Sequence, residues 1–253
     1  MKRSNSVGIF THTRPDGDAY GSAFALSLAL DKLGIPNFVC NDSEVPSNLA
    51  FVDGLEKVKK KPPFEAETLI AVDCSEPMRL GELFEVFCAA KKRKKTTLNV
   101  DHHISNTRFA SLNFVRECAS NCMNIFRLIS YLGVPLDQSI ARYLMIGLLT
   151  DSGNFSHDDV NEEAYTVAAE LARTGVKVNE LVYELFKKQP AQRAALYAET
   201  MSKIRYAFDG RFAAIVITAE AMKRHGANYG MTEVSSISRS AWIRWKLRLR
   251  CWK

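Results

Sequence analysis

The chain has 253 residues, of which 47% are hydrophobic and 25% charged, and its formal net charge is +6. This length and composition are typical of a globular protein with one sizeable domain and a smaller one. The sequence contains no apolar run of the roughly 18 residues that a membrane span needs, and its first apolar stretch is too short for a signal peptide. The six cysteines lack the paired spacing of disulfide frameworks or zinc sites. We therefore expect a cytoplasmic protein with reduced thiols.

The positive charge is concentrated at the end of the chain. Residues 234–253 hold six Lys and Arg, no acidic residue and all three tryptophans. Without this segment the basic residues balance the 28 acidic ones, so the body of the protein is neutral. The basic run at 91–95 is predicted to be a solvated helix end, where cations suit the helix dipole. Net charge therefore gives no reason to assign nucleic-acid binding to the fold itself.

The first part of the chain alternates between strand and helix patterns. An apolar strand at 7–10 leads through a turn to a helix of small residues at 22–33. Further strands are predicted at 35–40, 68–72 and 97–100, and helices at 81–90 and 119–132. The segment 140–149 is apolar throughout, and its periodicity fits a strand or a buried helix equally well. This alternation predicts an α/β fold with a parallel sheet flanked by helices.

The pattern changes in the second part of the chain. Helices are predicted at 162–173, 179–187 and 191–204, followed by a hairpin at 204–218 around the Asp209–Gly210 turn. We therefore divide the sequence into a catalytic metal-binding domain, a linker helix with the start of a smaller α/β domain, and a tail of unlike composition, at 1–188, 189–233 and 234–253.

Carboxylate and imidazole side chains follow the predicted apolar elements. They are His12, Asp16 and Asp18, then Asp73, then Asp101, His102 and His103, and finally Asp151, which we treat as a fourth strand end. Open α/β sheets place their chemistry at the carboxyl ends of the strands. Several carboxylates buried together would repel one another unless cations neutralise them. Two divalent ions sharing one carboxylate would do so, and we predict such a site.

These residues carry a family resemblance. The sequence resembles the DHH phosphoesterases, named for the triplet Asp101-His102-His103, with T-H-T-R-P-D-G-D-A as a first motif, A-V-D at Asp73 as a second and T-D-S-G at Asp151 as a fourth. Within the family it is most similar to the bifunctional oligoribonuclease and 3′-phosphoadenosine 5′-phosphate (pAp) phosphatase branch. The segments D-G-D-A-Y-G-S and D-H-H-I-S-N-T-R-F carry that similarity, and C-A-S-N matches more loosely.

The resemblance implies a role for each motif residue. One Mn²⁺ would be bound by His12, Asp16 and Asp73, and a second by Asp18, Asp73, His102 and Asp151, with Asp73 bridging. His103 would stabilise charge on the phosphoryl oxygens, and Asp101 would orient its neighbours. Asn106 and Arg108 are candidate substrate contacts, although a turn residue and an exposed loop cation explain them equally well.

The implied activity is Mn²⁺-dependent hydrolysis of short oligoribonucleotides to mononucleotides and removal of the 3′ phosphate from pAp. A cyclic-dinucleotide phosphodiesterase, a RecJ-type exonuclease and a manganese inorganic pyrophosphatase are alternatives within the enzyme class. Gly17 between the two aspartates and the modest chain length argue against the last two. From a different class, the chain would be an inactive fragment or a binding module. The sequence leaves a homodimer open.

The resemblance stops after Glu233. Family members continue into a glycine-rich segment that contacts the substrate phosphates, whereas this chain continues with the basic, Trp-rich tail. We expect a truncated C-terminal domain and a tail that results from a single-base deletion. The competing interpretation is a functional Arg/Trp tail that binds a membrane surface or RNA.

Overall fold

The protein is described from a computed structural model, which describes residues 4–210, 212–232 and 250–252. It forms two compact units, Met1–Leu185 and Phe186–Lys253. Among the described residues, no helix is both long and apolar enough to cross a membrane.

The first unit is built on a five-stranded sheet in which every neighbouring pair is parallel. In chain order its strands are β1 (Val7–Phe10), β2 (Asn37–Cys40), β3 (Thr68–Val72), β4 (Thr96–Asp101) and β5 (Leu112–Val115). The spatial order is β2-β1-β3-β4-β5. Every residue of β1 and β3 is buried, as expected for central strands covered on both faces. The predicted α/β fold with a parallel sheet is confirmed.

The described residues of this unit form six α-helices: α1 (Gly17–Lys32), α2 (Phe84–Lys92), α3 (Asn121–Leu132), α4 (Gln138–Asp151), α5 (Glu162–Arg173) and α6 (Val178–Val182). Helix α2 contributes Phe87 to a core cluster that includes Phe10 of β1 and Leu69 of β3. Helices α1, α3 and α4 contact one another, and α1 also contacts the first three strands. Packed helices therefore cover the sheet.

Two glycines allow α1 and α4 to approach closely. A Cβ atom on Gly21 would lie 2.5 Å from the backbone oxygen of Tyr143. One on Gly147 would lie 2.2 Å from Cys122 Sγ and 2.7 Å from Asp18 Oδ1. These distances are too short for any side chain, so the close contact requires glycine at both positions. As a result, the amino end of α1 and the carboxyl half of α4 pack directly against each other.

Helix α4 corrects one prediction. The segment 140–149 belongs to a helix, so Asp151 is the last residue of α4 and does not follow a strand. Eight residues of α4 are buried, in runs that include Leu144–Leu149, and this leaves too little polar surface for the helical period to appear in the sequence. Helix α1 also starts earlier than predicted, at Gly17, because the side chain of Asp16 caps it by accepting hydrogen bonds from the backbone N–H groups of Asp18 and Ala19.

Three further differences concern short elements. Strand β5 was not predicted, because it is a half-buried edge strand with the polar Asn113 in its middle. The predicted helix at 81–90 begins only at Phe84, after a 3₁₀ segment at Pro77–Leu83. The predicted helix at 179–187 is α6 followed by a π-helical turn, Tyr183–Lys187.

The second unit contains helices α7 (Ala191–Met201) and α8 (Ala219–His225) and strands β6 (Arg205–Ala207), β7 (Phe212–Ala214), β8 (Val216–Thr218) and β9 (Arg250–Trp252). Strands β6 and β7 form the predicted antiparallel hairpin. Strand β8 does not extend it and pairs in parallel with β9 instead. Most of the predicted tail, 234–249 and 253, lies outside the described residues, as does residue 233 before it.

Candidate metal centre

The structure brings the six predicted metal ligands together at the carboxyl edge of the sheet. The turn between β1 and α1 carries His12 and Asp16, and Asp18 lies in the first turn of α1. Asp73 follows β3, His102 follows β4, and Asp151 ends α4. Their side chains form groups with ligand atoms within 4.8 Å of one another: His12 with Asp16 and Asp73, Asp18 with His102 and Asp151, and Asp73 with His102 and His103. We call the six predicted ligands the candidate metal centre.

The first group is arranged around His12. Its Nε2 atom lies 3.5 Å from Asp73 Oδ2 and 4.0 Å from Asp16 Oδ1. Its Nδ1 atom donates a hydrogen bond to the backbone oxygen of Thr13, at a distance of 2.8 Å. In the neutral ring this leaves the Nε2 lone pair directed at the two carboxylates, which is the usual arrangement of a metal-binding histidine.

The second group repeats this arrangement around His102. The Nδ1 atom of His102 donates to the backbone oxygen of Cys118 at 2.8 Å. Its Nε2 atom lies 3.2 Å from Asp151 Oδ2 and 3.9 Å from Asp18 Oδ2. It also lies 3.5 Å from Asp73 Oδ1. Asp73 therefore directs one oxygen to each group, and a carboxylate that bridges two metal ions requires this geometry.

The amino end of α3 fixes the carboxylate of Asp18. The Oδ1 atom accepts hydrogen bonds from Ser120 Oγ at 2.7 Å and from the N–H of Cys122 at 2.9 Å, and Oδ2 accepts one from the N–H of Asn121 at 2.5 Å. The side chain is fully buried. A helix amino terminus favours negative charge, so α3 stabilises the ionised form of a residue that would otherwise resist burial.

The backbone of Asp73 is in the left-handed region, with φ at 53°. Residues other than glycine rarely adopt this conformation, and those that do are often found at functional sites. The N–H of Asp73 donates to the backbone oxygen of Val100 at 2.9 Å, which ties the turn to the neighbouring strand β4. Asp73 is thus held where its side chain lies between the two histidines.

The electrostatics of the centre are unfavourable without a cation. Burial and the charge of Asp73 raise the pKa of Asp18 to about 6, and burial with the charges of Asp18 and Asp73 raises the pKa of Asp151 to about 9. Burial opposes protonation of His102, but Asp73, Asp18 and Asp151 together raise its pKa to about 11. Contacts with both histidines lower the pKa of Asp73 despite its burial. The cluster therefore binds protons that cations would replace.

Two unsatisfied atoms at the middle of the cluster support this interpretation. Asp73 Oδ1 and His102 Nε2 are buried and have no hydrogen-bond partner among the described residues. Buried polar atoms are normally paired, so atoms like these need a ligand. Carboxylate oxygens and imidazole nitrogens are donors that suit divalent ions such as Mn²⁺. The residues present therefore fit a divalent metal site.

A second layer of contacts surrounds His103. Its Nδ1 atom donates to Asp101 Oδ1 at 2.8 Å, and the amide nitrogen of Asn106 donates to Asp101 Oδ2 at 2.6 Å. Asp101 is fully buried, whereas the side chain of His103 is 33% exposed. Asn106 also donates to Asn99 Oδ1 at 2.7 Å, so its amide nitrogen is engaged within the protein. Arg108, the other predicted substrate contact, is exposed on the same loop.

Sequence reasoning missed how Asp18 is held. The donors are Ser120 and two backbone N–H groups, and backbone groups leave no signature in a sequence. The available signal was the C-A-S-N segment, Cys118–Asn121, in which Ser120 is the cap of α3. Cys118 in the same segment supplies the backbone oxygen that orients His102.

Comparison with known proteins identifies the relatives of this chain. The model of the DHH family, N-terminal domain, matches residues 6–148. The bifunctional oligoribonuclease and PAP phosphatase NrnA of Thermus thermophilus is 35% identical over 227 residues, which cover 87% of this chain and 64% of that protein. The protein of the same name from Bacillus subtilis is 26% identical over 190 residues, covering 72% of this chain and 58% of its own. The chain thus spans less than two thirds of the length of these relatives.

A solved structure shares the fold. An exopolyphosphatase-related protein from Bacteroides fragilis superposes with a TM-score of 0.85 at 23% identity, covering 92% of this chain and 71% of that one. At this identity the likeness concerns the fold alone. The family model covers more than half of the sequence and contains five of the six ligands of the candidate metal centre, so the chain belongs to the DHH family.

Proposed function

We propose that the protein is a metal-dependent phosphoesterase that hydrolyses short oligoribonucleotides to mononucleotides and pAp to AMP. The observation that carries the proposal is the position of Asp73, whose Oδ2 and Oδ1 atoms each lie 3.5 Å from a different histidine Nε2. A shared carboxylate between two ligand groups is the arrangement of two-metal phosphoesterases. The names of the relatives from Thermus thermophilus and Bacillus subtilis support the choice of substrates.

The residues would hold two Mn²⁺ ions. One would be bound by His12, Asp16 and Asp73, and the other by Asp18, Asp73, His102 and Asp151. When bound, such ions lower the pKa of a water molecule and neutralise charge on a phosphoryl group. The protein's own contribution is to fix the ligand atoms: backbone oxygens orient both imidazoles, and the amino end of α3 orients Asp18.

His103 is proposed to contact the phosphoryl group. Asp101 accepts a hydrogen bond from His103 Nδ1. This bond fixes the orientation of the imidazole ring and leaves His103 Nε2 for a ligand. The partial exposure of His103 makes it accessible to substrate, in contrast to His102 with its 10% exposed side chain. The His103 ring, which the buried Asp101 holds in place, would stabilise negative charge that develops on the phosphoryl oxygens.

We further propose that residues 1–188 form the catalytic domain and 189–233 belong to a second, substrate-contacting domain. Hydrolysis would then depend on both, while metal binding would depend on the first alone. This division follows from the ligand positions, all of which lie before residue 152.

The proposal is tested by measuring hydrolysis of pAp and of an RNA of about five nucleotides with Mn²⁺, together with bound metal. We expect turnover and about two ions per chain for the unaltered protein. Asp73→Ala removes the shared carboxylate and should abolish turnover and most metal binding. Asp158→Asn, an exposed aspartate a few residues after Asp151, serves as the control and should change neither. Metal binding without turnover would refute the activity, and turnover that survives Asp73→Ala would refute the site.

A further inference from the structure

Three arginines lie in the connections that follow the ligand-bearing strands, Arg79 in the 3₁₀ segment Pro77–Leu83. Arg14 follows His12, Arg79 follows Asp73, and Arg108 follows His103 in the chain. Arg14 and Arg108 are exposed, and Arg79 is half-buried. Because the carboxyl ends of parallel strands meet at one edge of a sheet, the three loops border the candidate metal centre. We call these three residues the arginine rim.

Hydrogen bonds join the three loops to one another. The N–H of Thr13, next to Arg14, donates to the backbone oxygen of Arg79 at 2.6 Å. The N–H of Thr107, next to Arg108, donates to the backbone oxygen of Ser75 at 2.8 Å. Arg79 lies four residues after Ser75 and its guanidinium Nη1 is 3.5 Å from Ser75 Oγ. The segments that carry the three arginines therefore lie next to one another.

Two of these arginines have a backbone conformation that arginine rarely adopts. The φ angles are 53° for Arg14 and 51° for Arg108, in the left-handed region. The N–H of Arg14 donates to Ser43 Oγ at 3.0 Å, and that of Arg108 donates to Asn106 Oδ1 at 2.6 Å. Specific hydrogen bonds thus maintain a backbone conformation that is unfavourable for arginine. Such conformations are concentrated at binding and active sites.

Two of the three guanidinium groups of the arginine rim make no polar contact with the part of the chain that the structure describes. Among the described residues, the guanidinium groups of Arg14 and Arg108 have neither an ion pair nor a hydrogen bond. Elsewhere in the same unit, Arg116 and Arg127 both pair with Glu163, and Arg93 pairs with Glu65. Two divalent ions would nearly balance the five aspartates in and beside the metal centre. The rim therefore retains positive charge for a bound anion.

We propose that the arginine rim binds a second phosphate of the substrate, one that is not cleaved. The ligand is a nucleotide with two phosphates, or an oligonucleotide whose neighbouring phosphodiester lies beside the scissile one. Guanidinium groups suit this task because they stay charged and form paired hydrogen bonds with phosphate oxygens. The inference rests on the proposed function, which supplies the scissile phosphate.

The test compares two substrates that differ only in the second phosphate. The unaltered protein and the single variants Arg14→Ala, Arg79→Ala and Arg108→Ala are assayed with pAp and with adenosine 3′-phosphate. Loss of a charge-assisted hydrogen bond should lower kcat/KM for pAp about 10- to 100-fold, mainly through KM, and for adenosine 3′-phosphate less than about 3-fold. Arg108→Lys keeps the positive charge but lacks the paired donors of the guanidinium group. Its kcat/KM for pAp should lie between the values of the unaltered protein and of Arg108→Ala. Arg173→Ala, an exposed arginine at the end of α5, is the control and should alter neither substrate.

Binding of AMP, which carries only the uncleaved phosphate, is measured by calorimetry on the same proteins. We expect the rim variants to weaken it about 10-fold or more and Arg173→Ala to leave it unchanged. Equal losses of kcat/KM for both substrates, or AMP binding that the rim variants do not weaken, would overturn the inference. If neither substrate is hydrolysed but the variants still weaken AMP binding, the proposed activity fails and the phosphate site stands.

Discussion

Asp73 Oδ1 lies 3.5 Å from His102 Nε2, and neither atom has a hydrogen-bond partner among the described residues. A buried acid and a buried base at this separation interact as charges that water does not screen, and protonation of the cluster offsets the repulsion among its carboxylates. A divalent ion at this position would take the place of these protons and interact with both atoms. The stability of the protein should therefore depend on metal and pH together.

Removal of metal should make stability fall as pH rises. In the metal-free protein the pKa of Asp151 is raised to about 9 and that of His102 to about 11. Between about pH 6.5 and pH 9 the folded state then binds more protons than the unfolded chain, so unfolding becomes easier by about 1.4 kcal/mol per pH unit for each extra proton. We expect the Tm in EDTA to be lower at pH 8.5 than at pH 6.5.

Excess Mn²⁺ should reverse this trend, because ligands must lose their protons to bind metal and affinity therefore rises with pH. Asp151→Asn removes one of the titrating groups and should flatten the decline in EDTA. A Tm in EDTA that is constant or rises over this range would show that the carboxylates are ionised without metal, against the interpretation of the cluster.

Gly147→Ala should destabilise the protein and weaken metal binding. The added Cβ would lie 2.2 Å from Cys122 Sγ and 3.0 Å from the Cα of Asp18, so α1 and α4 would have to separate. Overpacking of this kind costs about 1–3 kcal/mol. Because Asp18 and Asp151 lie on these two helices, the separation should also lower Mn²⁺ affinity, measured by titration.

The control for Gly147→Ala is Ser139→Ala, on the exposed side of the same helix, and the free energy of unfolding in denaturant gives the comparison. The control should stay within about 0.5 kcal/mol of the unaltered protein. Equal stability of the two variants would mean that α1 and α4 tolerate a wider separation than their glycines suggest.

Glu163→Gln should lower the free energy of unfolding by about 0.5–1.5 kcal/mol at neutral pH. Arg116 and Arg127, from two other parts of the first unit, both pair with Glu163, and burial does not prevent them from lowering its pKa. The side chains are partly exposed, so solvent reduces the gain. A lowered pKa stabilises the fold above the unfolded value near 4.5, and this gain is lost as pH falls through the folded value.

The difference between Glu163→Gln and the unaltered protein should therefore disappear in acid, where both chains carry a neutral group at this position. Glu170→Gln removes the more exposed pair with Arg173 on the same helix and is the matched control. It should change the free energy of unfolding by less than about 0.5 kcal/mol at any pH. A larger effect for Glu170→Gln than for Glu163→Gln would contradict the argument from burial.

The sequence predicted the sheet well where the physical signal was local. Strand β3 matched its prediction residue for residue because it is a short apolar run between polar segments. The helix α4 could not be distinguished from a strand, since its neighbours bury most of its surface and remove the polar face that reveals the period. Strand β5 could not be predicted from the sequence pattern, because an edge strand pairs with only one neighbouring strand and tolerates polar residues.

The candidate site shows the same contrast between local and long-range information. The sequence motifs were enough to predict the six residues of the candidate metal centre, because each of these residues belongs to a short segment with a recognisable spacing. The contacts that fix them were not predictable, because they join residues far apart in the chain, as Ser120 joins Asp18. The arginine rim is another such case: only the folded chain shows that Thr13 and Arg79 are neighbours.

Asp101→Asn should lower kcat about 10- to 100-fold with metal content unchanged. Asp101 Oδ1 accepts from His103 Nδ1 at 2.8 Å and Oδ2 accepts from Asn106 at 2.6 Å, so both oxygens serve donors. An amide has one oxygen and one N–H₂ group, and whichever way it is oriented it places a donor against a donor. His103 or Asn106 would then move, and through Asn106 the backbone of Arg108 as well. The measurement is kcat with pAp at saturating Mn²⁺ beside bound metal, with Asp158→Asn as the control. A loss of metal equal to the loss of kcat would instead assign Asp101 to the metal centre itself.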